Sequence, residues 1–413
     1  MQLLIQNIKS LIQTSTNAPE IMKGNRQSEL STLDNAWVLI EDELIKDFGS
    51  MNSPYKTKGE PIKTLDATGR FVFPSWCDSH THIVFAGSRE SEFVDKINGL
   101  GYEEIAANGG GILNSAKRLQ NATEKELMEQ ASARLEEIMR MGTGAVEIKS
   151  GYGLTVDAEL KILRVIKKLR KTSPLTIKST FLGAHTFPIA YKENHQGYID
   201  EIINKMLPVI AKEKLADYID VFCEKVAFSP EETDQIIKAG AKYGLKAKIH
   251  TNQFNSMGGI EVSVNNNAIS VDHLEVLNDD EIAVLKKSST IATLLPSAPF
   301  FLRDQYPPAK KLIAAGVPVA LATDYNPGST PSGKMPFVLS LACIHMRMTP
   351  EEAINAATVN GAYAMEVNNE LGSITKGKKA NLFMTKPMPS YSYMPYAFGS
   401  NLIETVILNG KIQ

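Results

Sequence analysis

The 413-residue sequence contains only three cysteines, and no two of them form a Cys-x-x-Cys pair. We therefore interpret Cys77, Cys223 and Cys343 as thiols of a reduced protein and not as a disulfide framework. Long apolar runs are also missing: nowhere do about eighteen or more apolar residues follow one another, so no membrane span is expected. Polar residues interrupt residues 1–16, which predict a strand and not a signal peptide. These absences predict a cytoplasmic protein.

A charge of one sign is lacking as well. The 44 Lys and Arg residues nearly balance the 46 Asp and Glu residues, and the net charge is -2. Without a large basic field, we expect neither nucleic acid nor an anionic membrane as a partner. Hydrophobic residues make up 43% of the chain and charged residues 22%, which is typical of a folded globular protein.

The middle of the chain alternates helical segments with strand-like runs. A series of this kind predicts a parallel sheet, and eight runs favour a closed (β/α)₈ barrel. An open doubly wound sheet is the alternative, but no Gly-x-Gly-x-x-Gly motif follows the first run, so the usual sign of a nucleotide site is missing. The eight runs are GRFVFPSWCD, TGAVEIK, LTIKSTFL, YIDVFCE, LKAKIH, AISVDH, TIATLLP and VPVALATD.

Both ends of the chain contain short strands separated by turns, without a helical period. We expect the two ends to form one small domain of residues 1–68 and 373–413, beside a barrel of residues 69–372. Capping boxes beginning at Thr123, Ser229 and Thr349 predict the starts of three helices.

Five of the seven histidines, and one aspartate, follow predicted barrel strands. Catalytic side chains of such barrels lie at the carboxyl ends of the strands, so we expect these residues on one rim. They are His80 and His82 after the first strand, His185 after the third, His250 after the fifth, His273 after the sixth and Asp324 after the eighth.

The spacing of His80 and His82 allows both to bind one ion, because residues i and i+2 of a strand point to the same side. A His-x-His pair is weak evidence by itself, and two ordinary core or surface histidines are the alternative. His250 and Asp324 at matching strand ends favour the metal site. Imidazole with one carboxylate suits Zn²⁺ or Fe²⁺ better than Mg²⁺ or Ca²⁺.

Other polar residues are expected to be structural. We predict His195 in a solvated loop and His345 in packing or at the surface, and we place Cys223 in the core. Glu224, at the end of the fourth strand, is equally compatible with a rim salt bridge and with support of the site.

The predicted barrel with His-x-His, two further histidines and an aspartate resembles the metal-dependent amidohydrolase superfamily. Particular stretches are similar to the imidazolonepropionase family of histidine degradation. They are HTHIVFAGSRESEF, GYEEI, EIKSGYGL, TFLGAH, SVDHLE and ATDYNPGSTPSGKMP.

The resemblance implies a barrel joined to a small β-sandwich from both termini, in a cytoplasmic homodimer. It implies hydrolysis of a small-molecule substrate, 4-imidazolone-5-propanoate, to N-formimino-L-glutamate. One Zn²⁺ or Fe ion per subunit would be held by His80, His82, His250 and Asp324. The residues implied to meet the substrate are Arg89, Tyr102, Tyr152, His185, Gln253, Asn326, Gly328 and Ser329.

Three catalytic roles are hypothesised. Asp324 takes a proton from the attacking water and passes it to the leaving ring nitrogen, His273 orients the water, and His185 stabilises the carbonyl oxygen. Gln253 stands where many family members have Glu; because an amide cannot take a proton, the acid and base steps must be carried out by other residues.

Arg89 together with Tyr152 favours a substrate with an acidic side chain. The alternatives are a deaminase of a purine or pyrimidine ring and a non-catalytic binding protein.

Overall fold

The structure is a computed structural model that describes residues 2–53, 55, 63–100 and 110–413. Its described strands form two eight-stranded sheets. The strands are β1 (Gln2–Ile12), β2 (Thr32–Glu41), β3 (Leu44–Ser50), β4 (Lys63–Asp66), β5 (Phe71–Pro74), β6 (Trp76–Thr81), β7 (Thr143–Lys149), β8 (Thr176–Ala184), β9 (Tyr218–Cys223), β10 (Lys246–Thr251), β11 (Ser270–His273), β12 (Ile291–Leu294), β13 (Val319–Leu321), β14 (Leu382–Thr385), β15 (Ile403–Leu408) and β16 (Lys411–Ile412).

Helices separate most of the central strands. The α-helices are Glu90–Ile97, Gly111–Asn121, Glu124–Arg140, Val156–Thr172, His195–Glu201, Leu207–Glu213, Pro230–Ala241, Gly259–Asn265, Asp279–Lys286, Ser297–Leu302, Ala309–Ala315, Met335–Ile344, Pro350–Ala357, Val359–Ala364 and Tyr393–Tyr396; Gly24–Ser28 and Ile189–Tyr191 are 3₁₀ turns, and Ile202–Met206 is a π turn. The predicted capping boxes at Thr123, Ser229 and Thr349 are confirmed, since each side chain accepts from the backbone N–H three residues on. Among the described helices, none is both long and apolar enough to cross a bilayer.

Strands β6 to β13 form the predicted parallel barrel, and each pairs with the next strand in sequence. Seven of the eight predicted runs coincide with one barrel strand each, β7 to β13. These strands are buried along most of their length, and the buried residues include charged ones such as Glu147, Lys149 and Lys248.

The barrel closes through the segment that follows β13. Thr323 donates its backbone N–H to Oδ1 of Asp78 at 2.9 Å, and the N–H of Asp324 donates to the carbonyl of His80 at 3.0 Å. The N–H of His82 then donates to the carbonyl of Tyr325 at 2.9 Å. These hydrogen bonds fix the segment after β13, the last barrel strand, against the end of β6, the first barrel strand.

The first predicted run, GRFVFPSWCD, is two strands and not one. Phe71–Pro74 pairs with β1 and β14 in the outer sheet, whereas Trp76–Thr81 pairs with β7 in the barrel. Ser75 separates them, and its N–H donates to the carbonyl of Asn381 at 2.9 Å. Periodicity did not predict this break, because the residues on both sides of it are buried and apolar.

The outer sheet unites both ends of the chain, as the sequence predicted. Its strand order is β16-β15-β14-β5-β1-β2-β3, with β4 pairing to β1. The sheet has an apolar cluster of its own and also joins the main core. At the junction, Phe73 stacks on Phe383 with ring centroids 5.1 Å apart, and Trp76 of the barrel lies 4.8 Å from Phe383. The exact domain boundaries stay a prediction.

Candidate active site

Three histidines meet at the carboxyl ends of the barrel strands. One ring nitrogen from each of His80, His82 and His250 lies within 4.8 Å of the others, and all three side chains are buried. The rings of His80 and His82 have centroids 5.3 Å apart, whereas Thr81 between them donates to the carbonyl of Glu147 at 2.6 Å. The alternation of side chains along β6 thus puts both histidines on the interior side.

Two buried aspartates orient the rings. Nδ1 of His80 lies 2.6 Å from Oδ2 of Asp272, and Nδ1 of His250 lies 2.9 Å from Oδ2 of Asp220. A carboxylate accepts the proton of Nδ1–H, so the assigned tautomer leaves the Nε2 lone pair of each ring available. Burial, followed by the nearby positive charge of Lys149, lowers the pKa of both histidines well below the usual value. Neutral imidazoles of this kind are metal ligands.

Asp324 supplies a carboxylate beside this group. Its Oδ1 lies 3.5 Å from Nε2 of His80 and 3.6 Å from Nε2 of His82. Burial raises the pKa of the Asp324 carboxyl to about 7, although His273 opposes this change. The backbone hydrogen bond to His80 that closes the barrel is the contact that places Asp324 here.

The donor set fits a transition metal. Within the described part of the chain, Nε2 of His80 and Nδ1 of His82 are buried without a hydrogen-bond partner. An orphaned buried nitrogen is costly unless a further group satisfies it. Three imidazoles, one carboxylate and carboxylate partners behind two of the rings are a typical arrangement for zinc or iron.

His185 and Tyr152 border the histidine group. The ring centroid of His185 lies 5.5 Å from that of His82 and 5.4 Å from that of Tyr152. Nδ1 of His185 lies 3.1 Å from the carbonyl of Gly151, and a Cβ at Gly151 would stand only 2.8 Å from this nitrogen. Burial lowers the pKa of His185 to about 4, so the ring is neutral at pH 7.

The loop that carries Tyr152 is held by a buried carboxylate. Glu159 accepts the backbone N–H groups of Gly151, Gly153 and Leu154 at 3.0, 2.6 and 3.1 Å. The first turn of the following helix therefore fixes the position of Tyr152. In the sequence, Glu159 is only an acidic residue near the start of a helix. Acidic residues are common there because they interact favourably with the helix dipole, so the sequence did not reveal this role.

His273 lies on the same rim, with its ring centroid 5.4 Å from that of His250. Its Nδ1 is 3.3 Å from Oε1 of Glu275; burial lowers the pKa of His273, but Glu275 together with Asp324 and Asp272 raises it overall. His273 and Asp324 both have positive φ, +87° and +56°. Such backbone strain in non-glycine residues clusters at functional sites.

The turn after Asp324 contains three of the residues expected to meet substrate. Oδ1 of Asn326 accepts from the N–H groups of Gly328 and Ser329 at 2.7 and 2.8 Å. The hydroxyl of Ser329 contacts Oδ2 of Asp324 at 3.4 Å. Asn326 and Ser329 therefore shape the turn and orient the carboxylate, whatever further contact they make.

Arg89 lies beside this turn. A Cβ added at Gly328 would stand 2.5 Å from Nη1 of Arg89, so only glycine leaves room for the guanidinium. A cavity of about 230 Å³ is lined by both residues and by apolar side chains such as Phe93 and Phe301. Glu90, Glu92 and Lys96 also line this cavity, so Arg89 shares it with charges of both signs.

Two further residues, Tyr102 and Gln253, were expected to meet the substrate. Tyr102 lies outside the described residues. Gln253 lies in the loop after β10, where it is largely buried. Oε2 of Glu224 accepts the N–H groups of Phe254 and Asn255 at 2.7 and 3.2 Å. Glu224 thus supports the loop next to Gln253 and is not a rim salt bridge.

The remaining predicted structural residues differ in outcome. Cys223 is fully buried in the main core, as expected. His345 is exposed, and its ring stacks on Tyr306 with centroids 4.3 Å apart, so it lies at the surface, which is one of the two expected outcomes. His195 is not in a loop: it begins the helix His195–Glu201, because Asn194 caps that helix.

Sequence reasoning missed the charged residues beneath the histidines. Asp220, Asp272, Lys149, Glu147 and Lys248 are all buried within the barrel strands. Charged residues inside strands predicted to be buried were the available signal, because such groups need partners. Their pairing could not be read from sequence, since it depends on which strands are neighbours.

A parallel barrel with histidines and an aspartate at its strand ends defines the class of metal-dependent hydrolases, and residues 71–413 match the amidohydrolase family. The guanine deaminase of E. coli has the same fold, with a TM-score of 0.76 at 14% identity over 100% of this chain and 98% of that one. Imidazolonepropionase of Flavobacterium johnsoniae is 61% identical over 99% of both chains. That of Christiangramia forsetii is 58% identical over 100% of both. The chain belongs to the amidohydrolase family and, within it, to the imidazolonepropionases.

Proposed function

We propose that this protein hydrolyses the ring amide of 4-imidazolone-5-propanoate to give N-formimino-L-glutamate. The single observation that carries the proposal is the buried group of His80, His82, His250 and Asp324, whose ring nitrogens and carboxylate converge on one point. The full-length similarity to imidazolonepropionases supports the choice of substrate.

The four residues of this group would hold one Zn²⁺ or Fe ion. When bound, such an ion polarises a carbonyl oxygen and lowers the pKa of water, which a stable cyclic amide requires. The choice between zinc and iron depends on availability as well as on ligands, because imidazole suits both.

Asp324 would act as the proton carrier of the reaction. Its carboxylate lies beside His80 and His82, where a general base can take a proton from water and return it. It would accept the proton of the attacking water as oxygen bonds to the carbonyl carbon. It would then donate that proton to the ring nitrogen as the C–N bond breaks. The hydroxyl of Ser329, 3.4 Å from Oδ2, orients the carboxylate during this exchange.

His273 and His185 would serve on either side of the reacting carbon. His273, whose raised pKa comes from Glu275, can donate a hydrogen bond that orients the water. The neutral His185 ring has its one N–H at Nδ1, toward the carbonyl of Gly151, so Nε2 is an acceptor; contact with the substrate carbonyl oxygen would therefore require the imidazolium form, in which Nε2 also carries a proton. We assign these two roles from their positions beside His250 and His82.

The propanoate arm would bind Arg89. A planar guanidinium pairs with a carboxylate through two parallel hydrogen bonds, and Arg89 lies beside Gly328 in the turn that follows Asp324. Tyr152, Asn326, Gly328 and Ser329 would line the path from Arg89 to the ring, and Gln253 would hydrogen-bond the imidazolone. Gln253 cannot exchange a proton, which leaves that task to Asp324.

Purified protein of known metal content, mixed with imidazolone propionate, tests the proposal. Ring opening should consume one water and give formiminoglutamate, in proportion to bound metal. A parallel assay offers guanine and cytosine, because the guanine deaminase of E. coli shares the fold. Release of ammonia from either base, without formiminoglutamate, would overturn the proposal and favour a deaminase. A cytoplasmic homodimer stays a prediction, which light scattering and cell fractionation can test.

A further inference from the structure

Lys149 is a fully buried lysine at the end of β7, directly beneath the histidine group. Its Nζ lies 2.8 Å from Oδ2 of Asp220 and 3.5 Å from Oδ2 of Asp272. These are the same two oxygens that contact Nδ1 of His250, at 2.9 Å, and Nδ1 of His80, at 2.6 Å. One ammonium group therefore lies behind two of the candidate metal ligands at once.

A third carboxylate fixes the ammonium itself. Oε1 of Glu147 accepts from Lys149 at 2.7 Å and from the hydroxyl of Thr180 at 2.6 Å. Glu147 also pairs with a second buried lysine, Lys248. The Nζ of Lys149 is thus held from β7 and β9 together, and its position depends on the barrel and not on a flexible surface chain.

Lys248 has different neighbours. Besides Glu147, its Nζ donates to the carbonyls of Ser79 and Ala364 at 3.0 and 3.2 Å. In the hydrogen bonds and ion pairs of the described residues, Lys248 contacts neither Asp220 nor Asp272. The two buried lysines share Glu147, but of the two only Lys149 forms a hydrogen bond or ion pair with the carboxylates that orient the histidines.

We propose that Lys149 is a positioning residue for the metal centre. Its positive charge offsets the repulsion between Asp220 and Asp272, and its hydrogen bond holds Asp220 against His250. With both carboxylates in place, the Nε2 atoms of His80 and His250 keep one orientation before an ion binds. The inference rests on the proposed metal site but not on the identity of the substrate.

The test is metal affinity measured without substrate. Zn²⁺ binding to metal-stripped wild type and Lys149→Met is followed by competition with a chromophoric chelator. Loss of support behind ligands typically weakens metal binding by about 10–100-fold, and we expect a loss in that range for Lys149→Met. Lys248→Met removes an equally buried ammonium from the same cluster and should change the affinity by less than about threefold, since it leaves the direct contacts of Lys149 with Asp220 and Asp272 in place. Lys149→Arg should restore part of the affinity.

Wild-type affinity in Lys149→Met would overturn the proposal, as would equal losses in the two Met variants, which would show a general effect of the cluster. Near-ultraviolet circular dichroism establishes that each variant is folded. If Lys149→Met does not fold, Lys149→Gln replaces it, because Gln keeps a donor and removes the charge. Failure of imidazolone hydrolysis leaves these affinities unaffected, so the two proposals fail separately.

Discussion

Arg89 donates from Nε to Oε2 of Glu92 at 2.7 Å, one helical turn further along the chain. Glu92 is buried, and the contact fixes the guanidinium beside Gly328 before any substrate binds. A cation held in place binds a carboxylate with less loss of side-chain entropy than a mobile one. The predictions about substrate binding follow from this pair.

Arg89→Lys should raise KM for imidazolone propionate by about 10–100-fold, because a hydrogen bond to a charged group is lost. The metal content should equal that of wild type, since Arg89 is not among the candidate ligands. Steady-state kinetics with parallel metal analysis measure both quantities. An unchanged KM would remove Arg89 from carboxylate binding.

Gly328→Ala should displace Arg89, because the new Cβ would stand 2.5 Å from Nη1. The side chain that must move is long and flexible, so we expect a higher KM with a melting temperature within about 2 °C of wild type. Gly399→Ala is the matched control, since a Cβ there meets no atom within 4 Å. Equal KM values in both variants would contradict the proposed crowding.

Asp324→Asn should lower kcat by about 100-fold or more, because an amide cannot carry the proton between water and ring nitrogen. The expected loss persists at metal concentrations that saturate the variant, which separates proton transfer from metal binding. Single-turnover measurements on metal-saturated protein give this comparison. Turnover like that of wild type would refute the proton-carrier role of Asp324.

The contribution of His185 to the unfolding free energy of metal-stripped protein should fall as pH drops from about 6.5 to 4. Burial lowers the pKa of His185 to about 4, so between these values the unfolded chain binds a proton that the folded protein does not. The stability that His185 contributes above the pKa it has in the unfolded chain is therefore lost as pH falls toward its pKa in the folded protein. The loss is about 3 kcal/mol for this group. Urea denaturation at several pH values should show that the unfolding free energy of wild type falls across this window relative to that of His185→Asn. Parallel curves for the two proteins would disprove this assignment.

Local spacing accounts for the features that could be predicted. His80 and His82 share a side because side chains alternate along a strand, and the capping box at Thr123 begins a helix because its partners are three residues apart. The series of strands and helices likewise favoured the barrel. Each of these features depends on residues that are close together in sequence, so the sequence alone is sufficient to predict it.

The sequence by itself determined that histidines and an aspartate stand at strand ends, and hence that one rim would carry the chemistry. Only the tertiary structure decided which groups meet there. Asp324 lies beside His80 because the barrel closes through their backbones, and Lys149 lies behind two metal ligands because β7, β9 and β11 surround one interior. Such contacts join strands far apart in sequence, and their identity depends on the order and register of the strands.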